Sequence, residues 1–364
     1  MTTFIRKILS SVTAAMVLSL SDSSANAEEK IYWRTDCVGR MQISIPGDAD
    51  IAYTPPKLMY EDDSTQIYKF PDGSRAGWSW FSLGGAIRIS NALSPVEVHQ
   101  FRQEAKKLEK MAQGYVLETS PKGVFEKIYL DDKSQFAMRV NSSFLFALVL
   151  NNHGVTLQSS TVKHQVGQQS QQLKAIVSNM TYRENFSIAE LPGVCMPSLL
   201  IKGTEGKGIL AATTYQLKAH PDITILLEES TAGKPGKYER PEVFTAIYKS
   251  NFFWTQDYQD YDSIENLLKF RRHNNIPFAG QRAVESKVRM IRTDKITEDF
   301  GYLVVTQGNP DAKVDTPDLM LYVIRDAQQA IKRGIKPVPK KEFFKLARQI
   351  ADSVKHRGAI PSEK

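Results

Sequence analysis

Histidine and cysteine are scarce in this 364-residue chain, and their scarcity removes most metal chemistry. The six histidines (His99, His153, His164, His220, His273 and His356) are scattered, with no H-E-x-x-H and no paired spacing. The two cysteines, Cys37 and Cys195, stand too far apart for a C-x-x-C motif. No G-x-S-x-G elbow occurs: Gly77-Trp78-Ser79-Trp80-Phe81 lacks the second glycine, which leaves Ser79 as an ordinary strand serine. Gly203-Thr204-Glu205-Gly206-Lys207-Gly208 lacks Walker spacing, carries an acid that would repel phosphate and precedes no helical pattern, so it reads as a hairpin loop. Asp257, Asp260 and Asp262 lack the glycine and distal glutamate of a calcium loop. No catalytic, cofactor-binding or metal-ligating set is therefore expected, and the chain reads as a non-enzyme. Long runs of one charge are also missing. The net charge of +7 is spread out, with Arg271-Arg272-His273 and Lys340-Lys341 as short clusters, which argues against a nucleic-acid partner. Beyond the N-terminus no apolar run is long enough to span a bilayer; Phe144 to Leu150 reads as a buried strand, so no stable membrane insertion is expected.

What is present begins with an export signal. Arg6 and Lys7 form a basic region, Ile8 to Leu20 a short apolar stretch, and Ala25-Asn26-Ala27 a small-residue cleavage site between Ala27 and Glu28. Cleavage there would send the mature chain to an oxidising, periplasmic compartment. An even cysteine count in such a compartment is compatible with a Cys37–Cys195 bridge, which in a chain-entropy view would contribute about 4 to 5 kcal/mol. Two separate buried thiols remain the alternative.

The rest divides at a polar stretch ending in Leu191-Pro192-Gly193. The expected organisation is a signal peptide over 1–27, an N-terminal lobe over 28–186, a linker over 187–194 and a C-terminal lobe over 195–364. Alternating runs such as Met41, Ile43 and Ile45 predict strands, and Gly84-Gly85 predicts a hairpin turn. Ser94-Pro95-Val96-Glu97 is a full helix start, followed by Val98, Phe101, Ala105, Leu108 and Met111 on one face, with Gly114 as the expected stop. Asp262 with Glu265 repeats the capping pattern in the second half. The closing apolar helices, near Leu173 and Phe343, begin about 80 residues after each cap, which suggests a duplicated lobe. Strands in adjacent runs with helices between the runs predict an α+β fold of two similar lobes, each a mainly antiparallel sheet with packed helices.

One segment is crowded with aromatics: Tyr248, Phe252, Phe253, Trp254, Tyr258 and Tyr261. Such residues commonly pack between sheet and helix. Where exposed they anchor protein interfaces, which makes Phe253, Trp254, Tyr258 and Tyr261 the candidate partner surface.

Cys37-Val38-Gly39-Arg40 running into Ile43-Ser44-Ile45-Pro46 resembles the opening of the type VI secretion lipase immunity proteins of the fourth, Tli4-like class. Gly193-Val194-Cys195 resembles the start of that family's C-terminal domain. Gly301-Tyr302, Gln307-Gly308-Asn309-Pro310-Asp311 and Pro317-Asp318-Leu319-Met320-Leu321 resemble a later signature of the same domain. The resemblance implies two α+β lobes arranged like a claw. It implies a periplasmic protein, monomeric when free, that grips a cognate phospholipase effector and blocks its lid or substrate access, with no catalytic residues and no cofactor. The alternative is a periplasmic module that binds a lipid, peptide or small molecule in a cleft between the lobes.

Overall fold

Alternating apolar strands joined by tight turns pair with their chain neighbours, and here that pairing is antiparallel throughout. The computed structural model describes residues 32–61, 68–77, 79–119, 123–130, 136–203, 208–234, 240–256, 261–268, 272–312 and 316–358. Its centre is a 14-stranded sheet. From one end the strands run Tyr261–Asn266, Gln281–Arg292, Glu298–Thr306, Asp318–Arg325, Ile223–Ser230 and Ile209–Leu217, then Trp80–Leu83, Ala86–Ala92, His153–Ser160, Ser143–Leu150, Phe136–Val140 and Phe125–Lys127. Asn274–Phe278 also pairs with Gln281–Arg292, and Ala49–Ile51 with Ile209–Leu217. The α+β class with mainly antiparallel pairing is what the structure shows. The two halves of the chain meet inside the sheet itself, where Ile209, Ala211 and Ala212 pair with Leu83, Phe81 and Trp80. One hydrophobic core follows this continuity and includes Phe81, Phe146, Tyr215, Tyr302 and Phe343.

Helices cover the sheet where the sequence has a helical period. Helix α1 (Pro95–Thr119) starts on the expected capping box: Glu97 N–H donates to Ser94 Oγ, and Ser94 N–H donates to the Glu97 carboxylate at 2.8 Å. It runs through Gly114, so that glycine is not a stop, and Met111 of the expected apolar face is exposed. Helix α2 (Val166–Ser178) buries Leu173, Ile176 and Val177. The second-half helix expected at Asp262 is a strand, Tyr261–Asn266, paired with Gln281–Arg292. The helix lies earlier, as α3 (Ala246–Gln256), with Ala246, Ser250, Phe253 and Trp254 buried at helical spacing. A single carboxylate pair could not hold a helix at Asp262 against the ladder offered by a long neighbouring strand. With the helix moved, the equal spacing of caps and closing helices disappears. Helix α4 (Ala327–Lys332) is short, and α5 (Lys340–Ser353) buries Phe343, Ala347, Ile350 and Ala351 as its pattern predicts.

Segments distant in sequence knot together over the junction. The hairpin of Trp33–Val38 and Met41–Pro46 pairs with Lys355–His356, and Ser44 N–H donates to Ser353 Oγ at the end of α5. Gly193–Met196, at the end of the expected linker, is a fully buried strand beside Leu199–Lys202. Gly39 and Cys195 exchange two backbone hydrogen bonds of 2.7 Å, and Cys37 and Cys195 form a disulfide with Cα atoms 5.7 Å apart.

Beside the disulfide lies a buried ion pair. Asp36 accepts from Arg183 Nη2 at 2.6 Å, from Tyr215 OH at 2.9 Å and from Cys37 N–H at 2.8 Å. The remaining Arg183 donors reach the carbonyls of Met196, Glu184, Ser187 and Cys37. A second pair joins Arg40 to the buried Glu229 carboxylate. Gly39 sits against that carboxylate with φ +59°, and a Cβ there would stand 2.2 Å from Glu229 Oε2, so the turn requires glycine.

Removing one member of a buried pair leaves a charge without a partner. Asp36→Asn should therefore lower the unfolding free energy by about 3 to 5 kcal/mol in urea titrations. The mature protein, unfolded without reductant, should take up no thiol-alkylating reagent. Reduction should cost up to about 5 kcal/mol, read as a lower urea midpoint.

Candidate functional site

Buried polar residues here mostly tie the fold together. His153 is buried between the rings of Tyr53 and Tyr182, at centroid distances of 5.8 and 5.9 Å, although its surroundings in sequence suggest an exposed turn. Its Nδ1 donates to the Ser90 carbonyl at 2.8 Å, while Ser90 Oγ donates to the Asn91 carbonyl and accepts from Gly154 N–H. That arrangement does not activate Ser90 as a nucleophile, because its hydroxyl proton goes to a carbonyl and the His153 Nδ1 binds the Ser90 backbone. Ser79 Oγ donates to Thr214 Oγ1 inside the sheet. Asp299 accepts from Tyr261 OH, Arg292 Nε and Ala327 N–H. Among the described residues no group of three or more His, Cys, Asp or Glu side chains could hold a metal ion.

The aromatic segment divides between inside and outside. Phe253 and Trp254 are 5% and 8% exposed, pack edge-on to each other and lie against Tyr322 of the sheet. Trp254 Nε1 donates to Ser286 Oγ, and its ring occupies the place a Cβ on Gly301 would take, 2.4 Å away. Both side chains therefore pack in the layer between α3 and the sheet, not on an open surface as expected, and Phe253 also lines the cleft that opens there. Tyr261 is half-buried, with its hydroxyl on Asp299. Tyr258, Ala27 and Glu28 lie outside the described residues.

The outer side of α3 presents different residues. Ile247 and Phe252 are 52% and 51% exposed, and Tyr248 stacks on Phe252 at an interplanar angle of 14°. Beneath them, between α3 and the sheet, opens a cleft of about 460 Å³. Tyr248, Phe252, Val243, Val305 and Met320 form apolar walls, and Glu228 lies on the sheet side. Register explains its position: Glu228 pairs with Met320 and Ala212, and Met320 pairs with Val305, so a carboxylate stands in an otherwise apolar row. Lys249 Nζ, from α3, is bound to Asp318 Oδ2 at 2.8 Å. Burial pushes the Glu228 carboxyl up to about 7, with Lys249 opposing and Asp318 adding to the shift.

The sequence carried one signal for this cleft, and it lay in the strand Ile223–Ser230. Glu228-Glu229 places carboxylates on both faces of a strand at the centre of a sheet. Glu229 takes Arg40 as its partner, and Glu228 faces the cleft.

Other exposed features are separate from this one. Ile296 is 86% exposed at the tip of the hairpin joining Gln281–Arg292 to Glu298–Thr306, on a turn held by Asp294. A second hollow, of about 650 Å³, is lined by Tyr60, Leu108, Met138, Phe144 and Gln158. Neither hollow spans the junction between the halves.

No protein-family model matches the sequence, and no curated protein matches it. Solved structures match it along most of its length. The apo structure of TplEi, an immunity protein of the type VI secretion system (T6SS) of Pseudomonas aeruginosa, has a TM-score of 0.55 at 18% identity, covering 90% of this chain and 98% of that one. TplEi complexed with the "L" peptide has a TM-score of 0.54 at 17% identity, covering 89% and 98%. A chain of the Tle4–Tli4 complex has a TM-score of 0.56 at 17% identity, covering 89% and 97%. The chain thus has the Tli4-like immunity-protein fold along nearly its whole described length.

Glu228 generates a pH dependence of stability. Its folded value of about 7 lies above the ordinary 4.5, so the fold favours the protonated form. The stability it contributes is complete below pH 4.5 and is lost as the pH rises through about 7. Glu228→Gln cannot ionise. Relative to wild type, it should gain stability between those pH values, by up to about 3 kcal/mol, in denaturant titrations at pH 4.5 and 8.

Proposed function

We propose that this chain is an immunity protein: a non-catalytic, periplasmic inhibitor that binds a T6SS phospholipase effector and blocks its lid or substrate access. The observation that carries this reading is the likeness to T6SS immunity proteins across about 90% of the chain, including one described as a complex with a partner and one bound to a peptide. The sequence resemblance at Cys37-Val38-Gly39-Arg40, Gly193-Val194-Cys195 and Gly301-Tyr302 points the same way. Those residues build the junction and the α3 layer, which gives the motif a physical basis: Gly39 meets Glu229, Cys37 meets Cys195, and Gly301 meets Trp254.

Inhibition by capture needs a rigid complementary surface and no reactive groups. The continuous sheet, its disulfide and its buried ion pairs supply rigidity, and the partnered roles of Ser79, Ser90 and His153 favour a binding protein over a hydrolase. Export through a signal ending at Ala27 would place the inhibitor where such effectors act. None of the helices among the described residues is long and apolar enough to cross a membrane, which accords with a protein that is not held by a spanning helix. The halves over 28–186 and 195–364 would act as the two arms of a claw, with the effector between them.

The reading predicts a phospholipase effector encoded beside this gene, and that pair is the natural test. The purified pair should co-elute as one complex, and phospholipid hydrolysis should fall to background at a slight molar excess of the inhibitor. Separate elution with undiminished hydrolysis would overturn the reading.

A further inference from the structure

Every fully buried carboxylate at the junction has a cation: Asp36 has Arg183, and Glu229 has Arg40. Glu228 differs. It is half-buried, it lines the α3 cleft, and among the described residues its oxygens take part in no hydrogen bond. Lys249, the cation whose charge acts on it, is bound to Asp318, whose other oxygen accepts from Gly308 N–H. The cleft thus combines apolar and aromatic walls with one carboxylate whose charge is not matched by a direct partner. A carboxylate in such surroundings is costly in the free protein, and the cost is relieved when a cation reaches it.

We propose that the α3 cleft receives a basic side chain of a protein partner, an arginine or lysine whose stem lies along Tyr248, Phe252 and Met320 and whose head pairs with Glu228. The shape of the chemistry favours this occupant over an anion or a neutral group. An anion would meet both Glu228 and Asp318. A neutral apolar group would leave the carboxylate desolvated and unpaired. Arginine and lysine carry an aliphatic stem that buries against apolar surface while the head reaches a charge. The stacked Tyr248 and Phe252 rings at the mouth add faces that attract a cation. That the partner is a lipase effector rests on the immunity reading; the chemistry of the cleft does not.

Binding of a cation requires the ionised form of Glu228. Its carboxyl stands at about 7, and the charged groups facing it are Lys249 from α3 and Asp318 from the neighbouring strand, while the strand on its other side offers Ala212. At pH 6 about one carboxyl in ten is ionised, so affinity for a cation should fall by close to tenfold between pH 8 and pH 6.

Two measurements test the proposal on the mature chain. In the first, n-butylguanidinium and its neutral isostere n-butylurea are titrated by ligand-observed NMR against wild type and Glu228→Gln. Wild type should prefer guanidinium at pH 8 by at least tenfold. That preference should fall sharply at pH 6 and be lost in Glu228→Gln. Equal binding of the two probes, or an unchanged preference in the variant, overturns the proposal. The second measures affinity for the phospholipase effector that the immunity reading predicts beside this gene. Glu228→Gln should bind at least tenfold more weakly at pH 8, and equal affinities would overturn the docking role. If neither protein binds the lipase, the immunity reading fails, and the guanidinium titration still decides whether the cleft takes a cation.

Discussion

The Asp36–Arg183 pair sets the conditions for the rest of the structure. Both groups are buried, and an ion pair without water is tolerable only when its geometry is complete. Here the carboxylate also takes Tyr215 OH and Cys37 N–H, and the guanidinium places its donors on Asp36 and on the carbonyls of Met196, Glu184, Ser187 and Cys37. Those bonds hold the first strand, the stretch between the halves and a central strand of the large sheet in one arrangement. The disulfide and the mutual Gly39–Cys195 hydrogen bonds lie beside them and act on the same segments. The junction is therefore rigid for two independent reasons, one covalent and one electrostatic.

Rigidity at the junction gives the outer features a fixed frame. The α3 cleft has its floor on the strands one, two and three places along the sheet from Ile209–Leu217, so its floor residues keep their spacing without any loop to hold them. Packing Trp254 onto Gly301 fixes α3 from below and leaves Tyr248, Ile247 and Phe252 on its outer side. A preorganised surface of this kind loses little conformational freedom when a partner binds. The contrast between Glu229 and Glu228 follows from the pleat: consecutive residues face opposite sides of the sheet, so one meets Arg40 at the junction and the other meets the α3 layer.

Much of the local structure was legible. The Ser94–Glu97 capping box, the Gly84-Gly85 turn and the apolar face of α5 all follow from short-range patterns, and all are present. The errors arose where short-range signals were weak or competing. Asp262 and Glu265 imitate a cap, yet the residues after them join a ladder with Gln281–Arg292. Gly114 costs about 1 kcal/mol inside a helix, too little to end one as long as α1. The aromatic segment was visible as a crowd, but its division into buried Phe253 and Trp254 and exposed Phe252 depends on which side of α3 the sheet covers.

By itself the sequence determined the α+β class, the order of most elements, and the absence of the familiar catalytic motifs, because these depend on local spacing and residue type. Only the tertiary structure decided that both halves share one sheet, that the opening hairpin packs with α5, that Cys37 and Cys195 are bridged rather than separate, and that Glu228 is left without the cation Glu229 has. Strand pairing between distant segments is held by backbone hydrogen bonds that every residue type can make, so side-chain patterns scarcely encode it. The state of a buried charge depends on which distant cation reaches it, and that is settled when the chain closes around it.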